Sequence, residues 1–395
     1  MSRMVGTVVR GIRTPIIKEG DDLVNIVVDS IIRASKDGEF TLRDRDVVGI
    51  TESLLARAQG NYVTIEEIAN DINSKFDGDI AVLFPILSRN RFSIVLKGIA
   101  LTGKKVYLFL NYPSDEVGNC LMDIDKMDDL NIDISSDMLT EEKYRKFFGN
   151  NVSHPFTGVD YVEYYKSLGI DNNIEIVLCN DPKKALKYSK DIIVANIHES
   201  ERTKKILQKA GADKVLGLDQ ILDKPIGESG FNPEYGLLGS NTATEDKVKL
   251  FPRDSKDFVD KVQQNLKDKT GKHIEVMVYG DGAFKDPKGK IWELADPVVS
   301  PGFTDGLKGT PNEIKIKYIA DTEFVGLNTE EMTEKMKEKI RQKGENLLNK
   351  KESLGTTPRQ LTDLLGSLCD LTSGSGDKGT PVVLVQGYFD NYATE

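Results

Sequence analysis

Apolar residues recur along this chain in two rhythms, one of helical spacing and one of short β-branched runs, and together they predict a mixed α/β protein. DDLVNIVVDSIIRAS carries its aliphatic residues on one helical face and is capped by Asp21 or Asp22. MVGTVVRGI before it and DVVGIT after it read as strands. TIEEIANDINSKF returns to helical spacing, and IALTGKKVYLFLNY reads as two strands turning at Gly103-Lys104. From about residue 123 to 150 the chain is acidic and polar, which predicts a surface excursion. Residues 174–220 then give IEIVLC, DPKKALKYSK, DIIVANI, ESERTKKILQKAG and ADKVLGL, a strand–helix–strand–helix–strand unit expected to be parallel. HIEVMVYGDGAF is strand-rich, and TEEMTEKMKEKIRQKGENLLNKK has the mixed charge of a solvated helix.

The last segment carries a motif in an unusual context. Gly374, Gly376 and Gly379 spell GxGxxG. Upstream, Leu361, Leu364, Leu365, Leu368 and Leu371 form an amphipathic helical stripe, with Thr357 fitting its cap and Pro358 its first position. Downstream, PVVLVQGYF reads as a buried strand. A dinucleotide turn works because a strand delivers the glycines and a helix leaves them, so that pyrophosphate meets the helix N-terminal amides. The order here is helix, then glycines, then strand, which argues against a Rossmann turn.

Composition narrows the class. A length of 395 residues predicts two or three domains, and composition shifts suggest 1–150, an inserted α/β subdomain over 151–270, and 271–395. The net charge of -10 argues against nonspecific nucleic-acid binding. The longest apolar runs are too short to span a membrane, and MSRMVGTVVRGIRT has no secretory pattern, so the expectation is a cytoplasmic protein. Three dispersed cysteines form no disulfide or zinc pattern, and with only three histidines any metal should be oxygen-ligated.

Four stretches carry candidate chemistry. GIRTPIIKEGDDL leads from an extended run into a capped helix, and taken alone it is a strand-to-helix connection. VGITESLLARAQG ends a strand in Thr51-Glu52-Ser53 with Arg57 a turn later, which suits phosphate contacts and suits an ordinary salt bridge equally. NYPSDEVGN and VYGDGAFKD place Asp115 and Asp281 just after strands. Each aspartate has a turn reading, and together they have the hard oxygens that Mg²⁺ or Mn²⁺ needs on nucleotide phosphates. His154 favours a buried, hydrogen-bonded role, and Trp292 a core one.

TPIIKEGDDL, DVVGITESLLARAQG and LTDLLGSLCDLTSGSGDKGTPVVLVQG occur in the chain order of one family. The sequence resembles the coenzyme F-420 gamma-glutamyl ligase family, whose members attach glutamate to a deazaflavin cofactor using GTP. The resemblance implies a gamma-glutamyl ligase-like α/β (α+β mixed) fold, carrying the inserted subdomain and forming an intertwined homodimer. It puts nucleotide contacts on Thr14, Pro15, Ile16, Ile17, Glu52, Ser53, Arg57 and Asn119. It makes Ser373, Gly374, Ser375, Gly376 and Asp377 a closing loop. Catalytic and metal aspartates fall on Asp115 and Asp281, with Asp377 a further metal candidate. The implied co-substrate is GTP or ATP with Mg²⁺ or Mn²⁺.

The implied reaction is amide ligation through an acyl phosphate, adding glutamate or a similar amino acid to a small carboxylate acceptor. It needs no covalent enzyme nucleophile, and the chain has no persuasive Ser-His or Cys-His arrangement. The chain departs from the family pattern in having Arg57 in place of lysine, Gly282 after Asp281 in place of a hydroxyl residue, and Gly374 nearest to a missing glutamate. The resemblance covers roughly the first 125 residues and most of the stretch after 270, so 151–270 and 330–351 read as additions. Within the insert, His154 to Tyr165 and Gly236 to Asn241 are the expected substrate contacts. A non-catalytic nucleotide-binding protein on the same fold is the alternative.

Overall fold

Strands and helices alternate along the computed structural model, which describes residues 4–87, 92–116, 118–155, 157–196, 199–280, 283–285, 292–294, 299–347, 350–353, 359–373 and 376–394. The strands are β1 Val8–Ile12, β2 Val47–Thr51, β3 Tyr62–Thr64, β4 Ile80–Leu83, β5 Val106–Leu110 and β6 Met138–Thr140. They continue as β7 Ile174–Cys179, β8 Asp191–Val194, β9 Lys214–Gly217, β10 Asn241–Thr242 and β11 Lys247–Lys249. The last are β12 Glu275–Gly280, β13 Ala283–Lys285, β14 Trp292–Leu294, β15 Val299–Phe303 and β16 Val382–Gln386. The helices are α1 Leu23–Asp37, α2 Glu52–Ala58, α3 Ile65–Lys75, α4 Phe92–Ala100, α5 Ile124–Asp129 and α6 Glu141–Phe148. Then come α7 Tyr161–Ser167, α8 Ser200–Lys209, α9 Ser255–Thr270, α10 Ile316–Thr322, α11 Thr329–Arg341 and α12 Leu361–Thr372.

The first sheet has the order β1-β16-β2-β12-β15 and joins the two ends of the chain. Within it β2 and β12 run parallel, with Thr51 beside Tyr279, so both strands end at the same edge. Alternate residues of these strands face opposite sides. Val48, Ile50, Val276 and Val278 pack with Val27 of α1 and Val262 of α9, whereas Val47, Met277, Val383 and Val385 pack with Leu365 and Cys369 of α12. The sheet is thus covered by helices on both sides, which is why its central strands read as continuous apolar runs.

The second sheet has the order β6-β7-β5-β4-β8-β9, with every neighbouring pair after the first parallel. Parallel strands over 174–217 are as the sequence reading has them, but β5 and β4 lie between β7 and β8. This sheet therefore starts at residue 80, and a boundary at 151 passes through it. One face buries Val82, Leu108, Ile176 and Ile193 with Ile68 and Leu96 of α3 and α4; the other buries Leu83, Phe109, Val177 and Ile192 with Leu207 of α8. A third, small sheet joins β10, β11 and β3.

Several local expectations are corrected. IAL at residues 99–101 closes α4 rather than forming a strand, because Ile94, Leu96, Ile99 and Ala100 pack against α3 at helical spacing. The segment from 123 to 150 is not only surface: β6 adds an edge strand, and Met127, Leu139 and Tyr144 are buried. DPKKALKYSK forms a 3-10 turn over Pro182–Lys187. The mixed-charge helix ends at Arg341 rather than near residue 351. Helix α12 has Gln360 at its N-cap position, and Thr357 and Pro358 lie outside the described residues. Among the described residues, no helix is long and apolar enough to cross a membrane.

Candidate active site

The N-terminal loop is fixed by its polar residues at both ends. Asp21 accepts from the Lys18 amide at 2.6 Å, and Asp22 caps α1 through the Asn25 amide at 3.2 Å. Ile17 is buried, while Ile16 is 84% exposed at the mouth of a cleft. Arg57 Nε donates to the Ile17 carbonyl at 2.5 Å, and the Gly20 amide donates to the Ala58 carbonyl at 2.8 Å. Helix α2 therefore holds the loop in place. The Thr51 amide donates to the Pro381 carbonyl at 3.1 Å, which brings the C-terminal segment to the same point.

These three segments enclose a cleft of about 550 Å³. Thr14 to Ile17 line one side, Thr51 to Leu54 and Arg57 another, and Ser373, Gly376, Gly379 and Pro381 a third. Of the residues expected at a nucleotide site, Thr14, Pro15, Ile16, Ile17, Glu52, Ser53, Arg57, Ser373 and Gly376 meet here. Gly374, Ser375 and Asp281 lie outside the described residues, and Asp377 is exposed in the turn preceding β16.

Residues that the sequence reading did not single out complete the cleft. Tyr279 and Asp370 line it, as does Asn241, the last residue of the expected Gly236–Asn241 contact. Tyr279 is 1% exposed, and its hydroxyl makes no hydrogen bond to a described residue. Burial pushes its pKa well up, with Cys369, Asp370 and Glu52 adding to the rise and the nearby Ser373 hydroxyl, outside hydrogen-bonding geometry, opposing it, so the group stays a neutral phenol. At Gly280 an added Cβ would lie 2.8 Å from the Phe251 ring and 3.2 Å from the Glu52 carboxyl carbon. The end of β12 thus abuts Glu52, and Asp281 follows it in the sequence. Alternating β-branched residues foretell strand β12, but nothing in its pattern foretells the cleft that Tyr279 would line.

Lys249, from β11, reaches the cleft from the side and donates through Nζ to Ser53 Oγ. Burial lowers its pKa; Glu52 opposes that shift and Arg57 adds to it. Lys249 and Arg57 also line a neighbouring chamber of about 760 Å³, bounded by β3 and the β10–β11 hairpin.

Asp115 lies in the loop beyond the end of β5, and neither it nor Asn119 is among the described lining of the cleft. Asp115 accepts from the Asn119 amide at 2.7 Å and from Asn119 Nδ2 at 2.9 Å, and its Oδ2 lies 2.8 Å from His154 Nε2. All three residues are buried. Burial is the largest single influence on Asp115 and raises its pKa, but the hydrogen bonds from His154 and Asn119 together hold it below the ordinary carboxylate value. His154 has the buried, bonded role its sequence context favours. Tyr161 and Tyr165, which were expected to touch substrate, pack in the core of the second sheet instead.

A family model described as F420-0:Gamma-glutamyl ligase matches residues 11–387. The chain belongs to the F420-0:gamma-glutamyl ligase family. It is a ligase, and its mixed α/β architecture accords with that family. The matched range runs through 151–270 and 330–351, which the sequence reading set apart as additions. No curated protein matches the chain.

Proposed function

We propose that this gamma-glutamyl ligase binds GTP or ATP in the 550 Å³ cleft and uses it to join an amino acid such as glutamate to a small carboxylate acceptor. The observation that carries the reading is the convergence of Thr14–Ile17, of Glu52, Ser53 and Arg57, and of Ser373 and Gly376 on one cleft from distant parts of the chain. Two features of the cleft support it. The parallel strands β2 and β12 end there side by side, the place where open α/β sheets bind ligands. The buried Tyr279 hydroxyl also gains a partner if a phosphate oxygen or its hydration occupies the cleft.

A carboxylate is a poor acyl donor, because its oxide is a poor leaving group, so one of its oxygens first attacks the γ-phosphorus. The bond to the β-phosphate oxygen breaks and nucleoside diphosphate leaves. The amine nitrogen then attacks the acyl carbon, the carbon–oxygen bond to phosphate breaks, and inorganic phosphate leaves as the nitrogen loses a proton. Arg57 is placed to meet negative charge as it moves between phosphate and acceptor, and Ser53 to donate to a phosphoryl oxygen.

Among the described residues no group of three or more metal-ligating side chains is found. A nucleotide-bridged Mg²⁺ or Mn²⁺ needs only one or two carboxylates besides phosphate oxygens and water. Glu52 and Asp370 are the described carboxylates of the cleft and fit that demand, with Asp281 following β12 as a further candidate. Such an ion would spread the charge on the transferring phosphoryl group. Asp115, tied to Asn119 and His154, is assigned here to positioning the loop after β5. The enzyme is further proposed to be a cytoplasmic homodimer that acts on small molecules and not on nucleic acid or membranes.

The test is phosphate release from GTP or ATP with Mn²⁺, with and without an added carboxylate and amino acid. The ligase reading requires release that depends on both additions. Tight nucleotide binding with no stimulation across a broad acceptor panel would instead establish a non-catalytic nucleotide-binding protein.

A further inference from the structure

The larger chamber lies against the nucleotide cleft and shares a wall with it. Arg57 lines both spaces, β10 places Asn241 in one and Thr242 in the other, and Lys249 lines the chamber while bonding Ser53 of the cleft. Its walls come from β3 and the β10–β11 hairpin, which pair antiparallel through Val248 and Val63. At Gly60, with φ of +62°, an added Cβ would fall 2.4 Å from the Glu19 carboxyl group, so the missing side chain leaves Glu19 room at the chamber wall.

The chamber's charges are mixed and held apart. Lys18, Arg57, Lys247 and Lys249 line it together with Glu19, Glu67 and Glu228. Among the described ion pairs none joins two of these residues, although Glu67 accepts from the Thr64 amide at 2.7 Å in the cap of α3. A purely anionic occupant would face three carboxylates, and a purely cationic one four basic groups. A molecule with two carboxylates and one ammonium group matches the set in both sign and excess.

We propose that this chamber is the subsite for the amine-donating amino acid, an acidic α-amino acid, and that Lys249 grips one of its carboxylates at the junction with the nucleotide cleft. The inference rests on the ligase reading above and adds to it the location of the donor. Lys249 suits the role because it is half-buried between the two spaces and already directed at Ser53. An ammonium group partly stripped of water binds a carboxylate more strongly than one at the open surface. The arrangement brings the donor amine next to the γ-phosphate position, so that it meets the acyl phosphate where that intermediate forms. Lys249 is a positioning residue in this scheme and takes no proton in the reaction.

The experiment is calorimetric titration of L-glutamate into the full-length enzyme, both nucleotide-free and saturated with Mn²⁺ and a non-hydrolysable GTP or ATP analogue. Wild type, Lys249→Met and Lys249→Arg are compared. The expected result is that Lys249→Met weakens L-glutamate about tenfold, that Lys249→Arg restores most of the loss, and that analogue affinity changes by less than about threefold. Unchanged L-glutamate affinity in Lys249→Met overturns the proposal, as does a loss confined to the analogue, which would make Lys249 part of the nucleotide site. Absence of L-glutamate binding to wild type in both states also overturns it. Failure of the analogue to bind counts against the nucleotide cleft, while the nucleotide-free titration still decides the role of Lys249.

Discussion

Tyr279 brings a buried hydroxyl to the nucleotide cleft with no described partner, and such a group costs stability in the ligand-free protein. Tyr279→Phe should therefore leave the ligand-free melting temperature unchanged or raise stability by up to about 1 kcal/mol, while weakening nucleotide analogue binding. A clear drop in ligand-free stability would show that the hydroxyl is satisfied within the protein. Asp115 is the opposite case, a carboxylate whose bonds from His154 and Asn119 outweigh its burial and hold its pKa below the ordinary carboxylate value in the folded state. A lowered folded pKa means that stabilisation is fully present above the unfolded value and is lost as pH falls through the folded one. Asp115→Asn should thus flatten the fall of melting temperature below about pH 4. If the acid limbs of variant and wild type run parallel, Asp115 is not the group responsible. Neither role is visible in NYPSDEVGN or in VMVYGDG alone, because both depend on what packs against the residue.

At the level of elements, the site depends on how closely α12 lies on the first sheet. Gly49 in β2 permits that approach, since an added Cβ would stand 2.5 Å from Cys369 Sγ and 3.2 Å from the Tyr279 ring. Gly49→Ala should cost about 1–3 kcal/mol by overpacking and displace the α12 end that carries Asp370 and Ser373. Urea unfolding measures the first effect and analogue affinity the second; a variant as stable as wild type would mean that α12 yields without strain. Helix α12 and strand β16 were readable from the leucine stripe and from PVVLV because each buries a full face. Strand IAL was misread because Ile99, Ala100 and Leu101 are apolar in succession, and a short apolar run has no period to separate helix from strand.

Across the whole molecule, two helix-covered sheets have separate cores, and the chain crosses between them more than once. The first sheet pairs Val8–Ile12 with Val382–Gln386, so the expected nucleotide residues from both ends become neighbours. The second recruits β4 and β5 from before residue 150 to neighbour β7 and β8, which no composition shift along the chain announces.

By itself, the sequence determined the local elements with strong periodicity, the helix-then-strand setting of the glycines, and the family, because these reside in contiguous residues. Thr14 to Ile17, Glu52 to Arg57 and Ser373 were identifiable for the same reason. Only the tertiary structure decided that these segments share one cleft, that Tyr279 and Asp370 join them, and that Asp115 is bonded to His154. It also placed Lys249 between two chambers, 196 residues from Ser53 along the chain. Strand order and the packing of distant side chains set these relations, and neither leaves a periodic mark on any single stretch of sequence.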